Sequence, residues 1–106
     1  MKSLRDPNRK PTHPGEVLRE DVLPSLGVTQ TDLARHLGVS RLSVSELLLE
    51  KRAMTPDMAM RVAAVTGTTP QSWLRMQEAL DLWTLAKDRK RYAAIERLRP
   101  FEAASA

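Results

Sequence analysis

The sequence predicts an all-α domain, and three observations carry that expectation. Leu, Ala, Met and Val supply most of the apolar content, while the only aromatic residues are Trp73, Trp83, Tyr92 and Phe101; this balance suits packed helices better than sheets. Apolar residues recur at spacings of three and four in successive segments, the period of a helix with one buried face. Prolines and glycines fall at the edges of those segments, where helices start and stop. A chain of 106 residues is long enough for one compact domain with a modest core and too short for two. The expected organisation is an N-terminal arm at 1–12, a helical domain at 13–86 and a basic extension at 87–106.

Residues 1–12 are polar and charged and carry Pro7 and Pro11, which predicts a flexible, basic arm. A first helix begins at Pro14, a favoured first helical residue, with Glu16 in the turn where the helix dipole favours an anion. Val17, Leu18, Asp21 and Val22 follow at helical spacing, and Pro24 is expected to end the helix. Thr29 caps a second helix with Asp32 three residues on, a short form of the capping box; Leu33, Ala34 and Leu37 form its buried stripe and Gly38 its stop. Ser40 caps a third, in which Val44, Leu47 and Leu48 face inward. After the loop "KRAM", Thr55, Pro56 and Asp57 open a fourth helix that runs to Gly67, with an apolar surface from Met58, Met60, Val62, Ala63 and Val65. Thr69 and Pro70 open a fifth, striped by Trp73, Met76, Leu80 and Trp83, which frays into a basic helical segment stopped by Pro100.

Composition excludes several classes. There is no cysteine, so neither disulfides nor thiolate metal sites are possible, which fits a reducing cytoplasm. The basic N-terminus lacks an apolar signal core, and no run approaches the roughly 20 apolar residues that span a bilayer, so no membrane partner is expected. Net charge is +4, which favours an anionic partner. The charge is uneven: residues 1–13 hold four Lys/Arg against one Asp, 14–86 hold seven against nine Asp/Glu, and 87–106 hold six against three. Basicity lies in the tails, so bulk charge alone says little about the core.

The stretch "TQTDLARHLGVSRLSVSELLL" at 29–49 says more. Two short amphipathic helices meet at a single glycine, and Ala34 is small where the second helix must cross the first, which fits a helix-turn-helix. In that motif the second helix enters the major groove of DNA with its first residues at base edges. Arg41 can contact guanine bidentately, Glu46 can accept from cytosine or hold Arg41, and Leu42 can pack on a thymine methyl. Ser43 and Ser45 are short enough to reach base or phosphate. Thr29, Gln30 and Ser40 stand at helix N-termini that suit a phosphate, and Lys51 and Arg52 add phosphate contacts from the following loop. The competing structural reading is a tight helix hairpin with a solvated polar face.

The chain resembles the HigA-type antitoxins of the Xre helix-turn-helix superfamily, which begin "HPGE.LREE" and continue "TPD.A.R.A...GT.P..WL..Q...DLW". The matching stretches here are "HPGEVLRED" at 13–21 and "TPDMAMRVAAVTGTTPQSWLRMQEALDLW" at 55–83. The resemblance spans residues 13 to about 85. It implies a five-helix, lambda-repressor-like DNA-binding domain that forms a homodimer, represses its own operon at a palindromic operator, and neutralises a HigB-type toxin, a RelE-like endoribonuclease that cuts messenger RNA. The family's DNA contacts transfer to Gln30 and to Ser40 through Glu46. The segment "LLL" at 47–49 is more apolar than the family's usual sequence.

The stripe of Trp73, Met76, Leu80 and Trp83, with Leu74, Leu82 and Leu85 near another, offers more apolar surface than one small domain covers, so a symmetric dimer is expected to bury one of them. The alternative for both stripes is intramolecular core. No cofactor, metal or catalysis is implied: His13 precedes Pro14 and is expected to cap or pack at the helix entry, and His36 is the only other histidine, too few ligands for a metal centre. Met54, Met58, Met60 and Met76 are assigned to the core. Two further readings share the same central residues: a stand-alone regulator without a toxin, and an interaction module that has lost DNA binding.

Overall fold

A computed structural model describes residues 8–102. The expected arm at 1–12 therefore falls largely outside the described residues; residues 8–9 form a turn and bend, and 10–12 have no regular secondary structure. The described chain is helical, with no strand among the described residues: α1 (Pro14–Val17), a π-helical turn (Leu18–Val22), α2 (Leu23–Leu26), α3 (Gln30–Leu37), α4 (Arg41–Leu48), α5 (Pro56–Thr66), α6 (Pro70–Lys87) and α7 (Arg89–Glu96).

The expected first helix is the continuous rod α1–π–α2, and Pro24 does not end it. Pro24 lies in the first turn of α2, and the rod stops at Gly27, where φ is 67°. Proline has no N–H, and its ring clashes with the carbonyl one turn back. The π-helical turn just before it shifts the ladder to a wider register, with the Leu23 N–H donating to the Leu18 carbonyl five residues earlier, which is how a helix passes over such a residue.

The other helix starts are set by local chemistry. The side chains of Thr29, Ser40, Thr55 and Thr69 accept from the backbone N–H three residues ahead. Thr29 and Asp32 form a complete capping box. Gly38 and Gly67 adopt φ of 70° and 72° to close α3 and α5. Asp88 breaks the fifth helix from the basic segment and caps α7 as a separate helix.

The core gathers Leu18, Leu33, Leu37, Val44, Leu47, Leu48, Met58, Val62 and Trp73, all buried. Each large aliphatic side chain so removed from water contributes roughly 1.5–3 kcal/mol before entropy is counted. Met54 and Met58 are core, as expected, and Met76 packs half-buried against it. Met60 is 65% exposed and Val65 is exposed too, so both lie on the outer face of α5 and are no part of the core.

Gly15 decides how α4 sits. A Cβ built on it would lie 1.8 Å from the Leu47 carbonyl oxygen, so only glycine lets the start of α1 touch the backbone of α4. His13 holds that entry: its Nδ1 accepts from the Gly15 N–H at 2.8 Å in a buried position. It is a helix cap, the role expected of it.

Candidate nucleic-acid interface

α3 and α4 meet through a turn of Gly38 and Val39. Gly38 N–H donates to the Arg35 carbonyl at 3.2 Å and Val39 N–H to the Ala34 carbonyl at 3.1 Å. Ala34 is buried at the crossing. Val44, Leu47 and Leu48 anchor α4 inward, which turns its polar flank outward.

That flank is open at its first turn and only partly covered further along. Arg41 is exposed and Leu42 is 65% exposed, while Ser43, Ser45 and Glu46 are half-buried along the side of the helix. Lys51 and Arg52 are exposed just beyond its end, and of the α3 start Thr29 is exposed and Gln30 half-buried. Thr29 and Ser40 spend their hydroxyl oxygens on capping: Thr29 accepts from Asp32 N–H at 3.1 Å and Ser40 from Ser43 N–H at 3.0 Å. Capping uses only an acceptor lone pair, so the Thr29 hydroxyl keeps its O–H for a phosphate, whereas Ser40 donates its own to Ser43 Oγ and offers the N–H groups of its helix N-terminus.

Glu46 does not hold Arg41. Its Oε1 accepts from Arg52 Nη2 at 2.6 Å, and Arg52 Nη1 donates to Ser43 Oγ at 3.3 Å. The Ser43 hydroxyl is fixed in turn by Ser40 Oγ at 2.9 Å. Arg41 makes no ion pair among the described residues, which leaves its guanidinium open.

Three residues absent from the expected site hold it in place. Arg19, on the π-turn, donates to the Leu48 carbonyl at 2.5 Å and to Glu50 at 3.3 Å, tying the end of α4 to the first helix. Arg61, on α5, donates from Nη1 to the Leu37 carbonyl at 2.9 Å and from Nε to Asp57 at 2.6 Å, so it closes α3 from behind. Gln77, buried on α6, accepts from Met54 N–H at 2.8 Å and donates to Asp81 at 2.9 Å, fixing the loop that follows the interface. Gln77 had a signal in the sequence: a polar residue on the apolar stripe of Trp73 and Leu80. Arg19 and Arg61 had none, because an arginine on an amphipathic helix reads as solvated.

Asp32 supports the α3 start electrostatically. Its carboxyl is held below the usual range, first by the hydrogen bond from the Thr29 backbone N–H, then by the Thr29 side chain and the Arg35 charge. A carboxylate at that position also complements the helix dipole.

The expected dimer stripe needs correction at two of its four residues. Trp73 is 3% exposed and Leu80 7%, and the Trp73 indole N–H donates to Thr68 Oγ1 at 2.7 Å. Both are covered by their own chain and form no free face. Met76 and Trp83 are half-buried. The Lys87 ammonium lies 5.4 Å over the Trp83 ring. Leu82, at 63%, is the large apolar residue that α6 exposes. Among the described residues no group of three or more His, Cys, Asp or Glu could hold a metal ion, and no helix is long and apolar enough to cross a membrane.

A helix-turn-helix with an open polar flank defines a DNA-binding class of protein, and comparison with known proteins agrees. Residues 18–73 match the family described as HTH_3, helix-turn-helix. The chain is 39% identical over 80 residues to "Antitoxin HigA-1" of Vibrio cholerae, covering 76% of this chain and 75% of that protein. It is 37% identical over 95 residues to YbaQ of Escherichia coli K12, described as an uncharacterized HTH-type transcriptional regulator, covering 90% of this chain and 84% of the other. Among solved structures, "Pseudomonas aeruginosa antitoxin HigA with higBA promoter" superposes with a TM-score of 0.78 at 30% identity, over 87% of this chain and 99% of that one. The chain belongs to the Xre-like helix-turn-helix family, a family of DNA-binding regulators and not of enzymes.

Proposed function

We propose that the chain is a sequence-specific DNA-binding repressor that also serves as the antitoxin of a type II toxin–antitoxin pair. The observation that carries the DNA-binding half is the outward flank of α4, where Arg41 and Leu42 stand open on a helix fixed from behind by Gly15 and Arg19, with Arg61 holding the end of α3 beside it. A rigid scaffold presenting an open first turn is what major-groove reading requires. Arg41 supplies a guanidinium for guanine or phosphate, Leu42 an apolar contact for a thymine methyl, and Ser45 a short hydrogen-bonding group. The start of α3, at Thr29 and Gln30, meets the backbone, with Lys51 as a further phosphate contact.

The antitoxin half is supported by similarity to "Antitoxin HigA-1" and to the Pseudomonas aeruginosa antitoxin. Its partner is a HigB-type, RelE-like mRNA-cleaving toxin, and the repressor acts as a homodimer on a palindromic operator, in the cytoplasm. A dimer sets two α4 helices about one DNA turn, roughly 34–36 Å, apart. Toxin and operator share one small scaffold, so occupancy by one partner shifts affinity for the other by the same factor in both directions. The uncharacterized YbaQ relative favours one second reading, a stand-alone regulator without a toxin.

The test is a gel shift of the chain against the DNA upstream of its own gene, with and without the product of the neighbouring gene. Retarded bands that compete with unlabelled upstream DNA and not with a scrambled duplex are expected. Co-purification with the neighbour's product, and relief of its growth arrest, establish the antitoxin half. A neighbour that neither arrests growth nor co-purifies leaves the stand-alone regulator.

A further inference from the structure

The network along the recognition helix gives Arg52 a different role from the phosphate contact its loop position suggests. Its side chain folds back on α4, with Nη2 on Glu46 Oε1 at 2.6 Å and Nη1 on Ser43 Oγ at 3.3 Å. Ser43 is itself held by Ser40 at 2.9 Å. A continuous line of hydrogen bonds thus runs from the helix cap to the loop, and it aims one guanidinium. The Arg52 side chain remains 43% exposed, and these two contacts use two of the five N–H donors a guanidinium carries. A bidentate contact to guanine O6 and N7 needs two more.

Glu46 makes the same point from the other side. A lone carboxylate turned toward a duplex faces repulsion from the phosphates; one paired with a guanidinium is neutralised and acts as a buttress. Arg41, without a partner, must give up its side-chain freedom on binding, whereas Arg52 has already given up much of it.

We propose that Arg52 is a base-reading residue of this chain, specific for a guanine in each half-site, and that Glu46 and Ser43 are the positioning residues that aim it. This rests on the DNA-binding reading above. Glu46 then fixes specificity through Arg52 and makes no base contact of its own.

Binding is measured to duplexes tiling the DNA upstream of the chain's own gene, then to every single base-pair variant of the tightest site, across a salt series. The proteins are the wild type, Arg52→Ala, Arg52→Lys, Glu46→Ala, Glu46→Gln and the Arg52→Ala/Glu46→Ala double variant, each checked for a native melting curve. Arg52→Ala is expected to flatten the preference at one G·C pair per half-site by about tenfold to a hundredfold, the range for a bidentate contact. Glu46→Ala flattens the same pair although Arg52 is present, Glu46→Gln restores part of it, and the double variant resembles Arg52→Ala. Arg52→Lys keeps the salt slope and loses the discrimination. A uniform weakening across all sequences with a salt slope lower by about one makes Arg52 a phosphate clamp and overturns the proposal. So does a Glu46→Ala effect at a different base pair. If the wild type itself fails to distinguish upstream from scrambled DNA, the DNA-binding reading falls first and this inference with it.

Discussion

At the scale of single residues, two backbone positions set the geometry of the interface, and their substitution has opposite signs. Gly15 touches the Leu47 carbonyl so closely that a methyl group would sit 1.8 Å from the oxygen and 2.8 Å from the carbonyl carbon. Backbone atoms cannot swing aside, so α1 and α4 must part. Gly15→Ala is expected to destabilise the domain by about 2–3 kcal/mol, the upper part of the range for overpacking, and to weaken operator binding through the displaced α4. Urea denaturation with a gel shift checks both; a wild-type midpoint would refute the contact. Glu50 is the reverse case. It adopts φ of 63°, the only described non-glycine residue in the left-handed region, at a cost of about 1–3 kcal/mol. Its compensation is an ion pair with Arg19 at 3.3 Å, which on a surface is worth about 0–1 kcal/mol. Glycine relieves the strain and loses the pair, and it also loosens the unfolded chain. The first effect is the largest, so Glu50→Gly is expected to raise the urea midpoint by an amount equivalent to about 0.5–1 kcal/mol, with an unchanged slope.

Among the elements, the predictions concern how α3 starts and how the loop after α4 is tied down. The Asp32 carboxyl is held below its ordinary value by the Thr29 N–H. A depressed folded value means that the stabilisation is present above the ordinary carboxylate range, about pH 4, and is lost as pH falls through the lower folded value. Asp32→Asn should therefore narrow the gap to wild type in acid and leave the variant less stable near neutrality, as thermal melts across that range would show. Gln77→Leu should cost about 1–3 kcal/mol, because it leaves the buried Met54 N–H without its acceptor; faster hydrogen exchange at Met54 reports it directly. Helix starts were legible in the sequence because each is written within four residues, as Thr29, Ser40, Thr55 and Thr69 show. The outward flank of α4 was legible for the same reason: the spacing of Val44, Leu47 and Leu48 fixes which side turns in. What escaped depends on contacts between distant residues. Pro24 ends a helix only if the ladder keeps its register, and here a π-turn changes it. The Glu46 partner lies in the loop beyond the helix, and Arg19 and Arg61 reach carbonyls 29 and 24 residues away. Spacing on one helix cannot reveal any of these.

For the whole molecule, the question is which surface the proposed dimer would use to hold two α4 helices about one DNA turn apart. Periodicity on α6 signals that Trp73 and Leu80 are buried without saying against what, and the fold answers that the chain itself covers them. If the proposed dimer pairs through α6, it uses what that helix leaves outside, of which Leu82, 63% exposed beside the half-buried Trp83, is the principal apolar element. Leu82→Glu places a charge there. An exposed substitution of this kind changes monomer stability by only about 0.5 kcal/mol, but burying an unpaired carboxylate between two copies is strongly unfavourable. Two consequences follow from linking two weak half-site contacts in one molecule. The variant should sediment at the mass of one chain where the wild type sediments at two, and its affinity for a full palindromic operator should drop by at least about tenfold. Binding to a duplex carrying a single half-site should be the same for both proteins, because Leu82 lies on α6, away from α4 and from its supports at Gly15 and Arg19. A variant that keeps both the mass and the full-operator affinity of the wild type would place the pairing surface off α6.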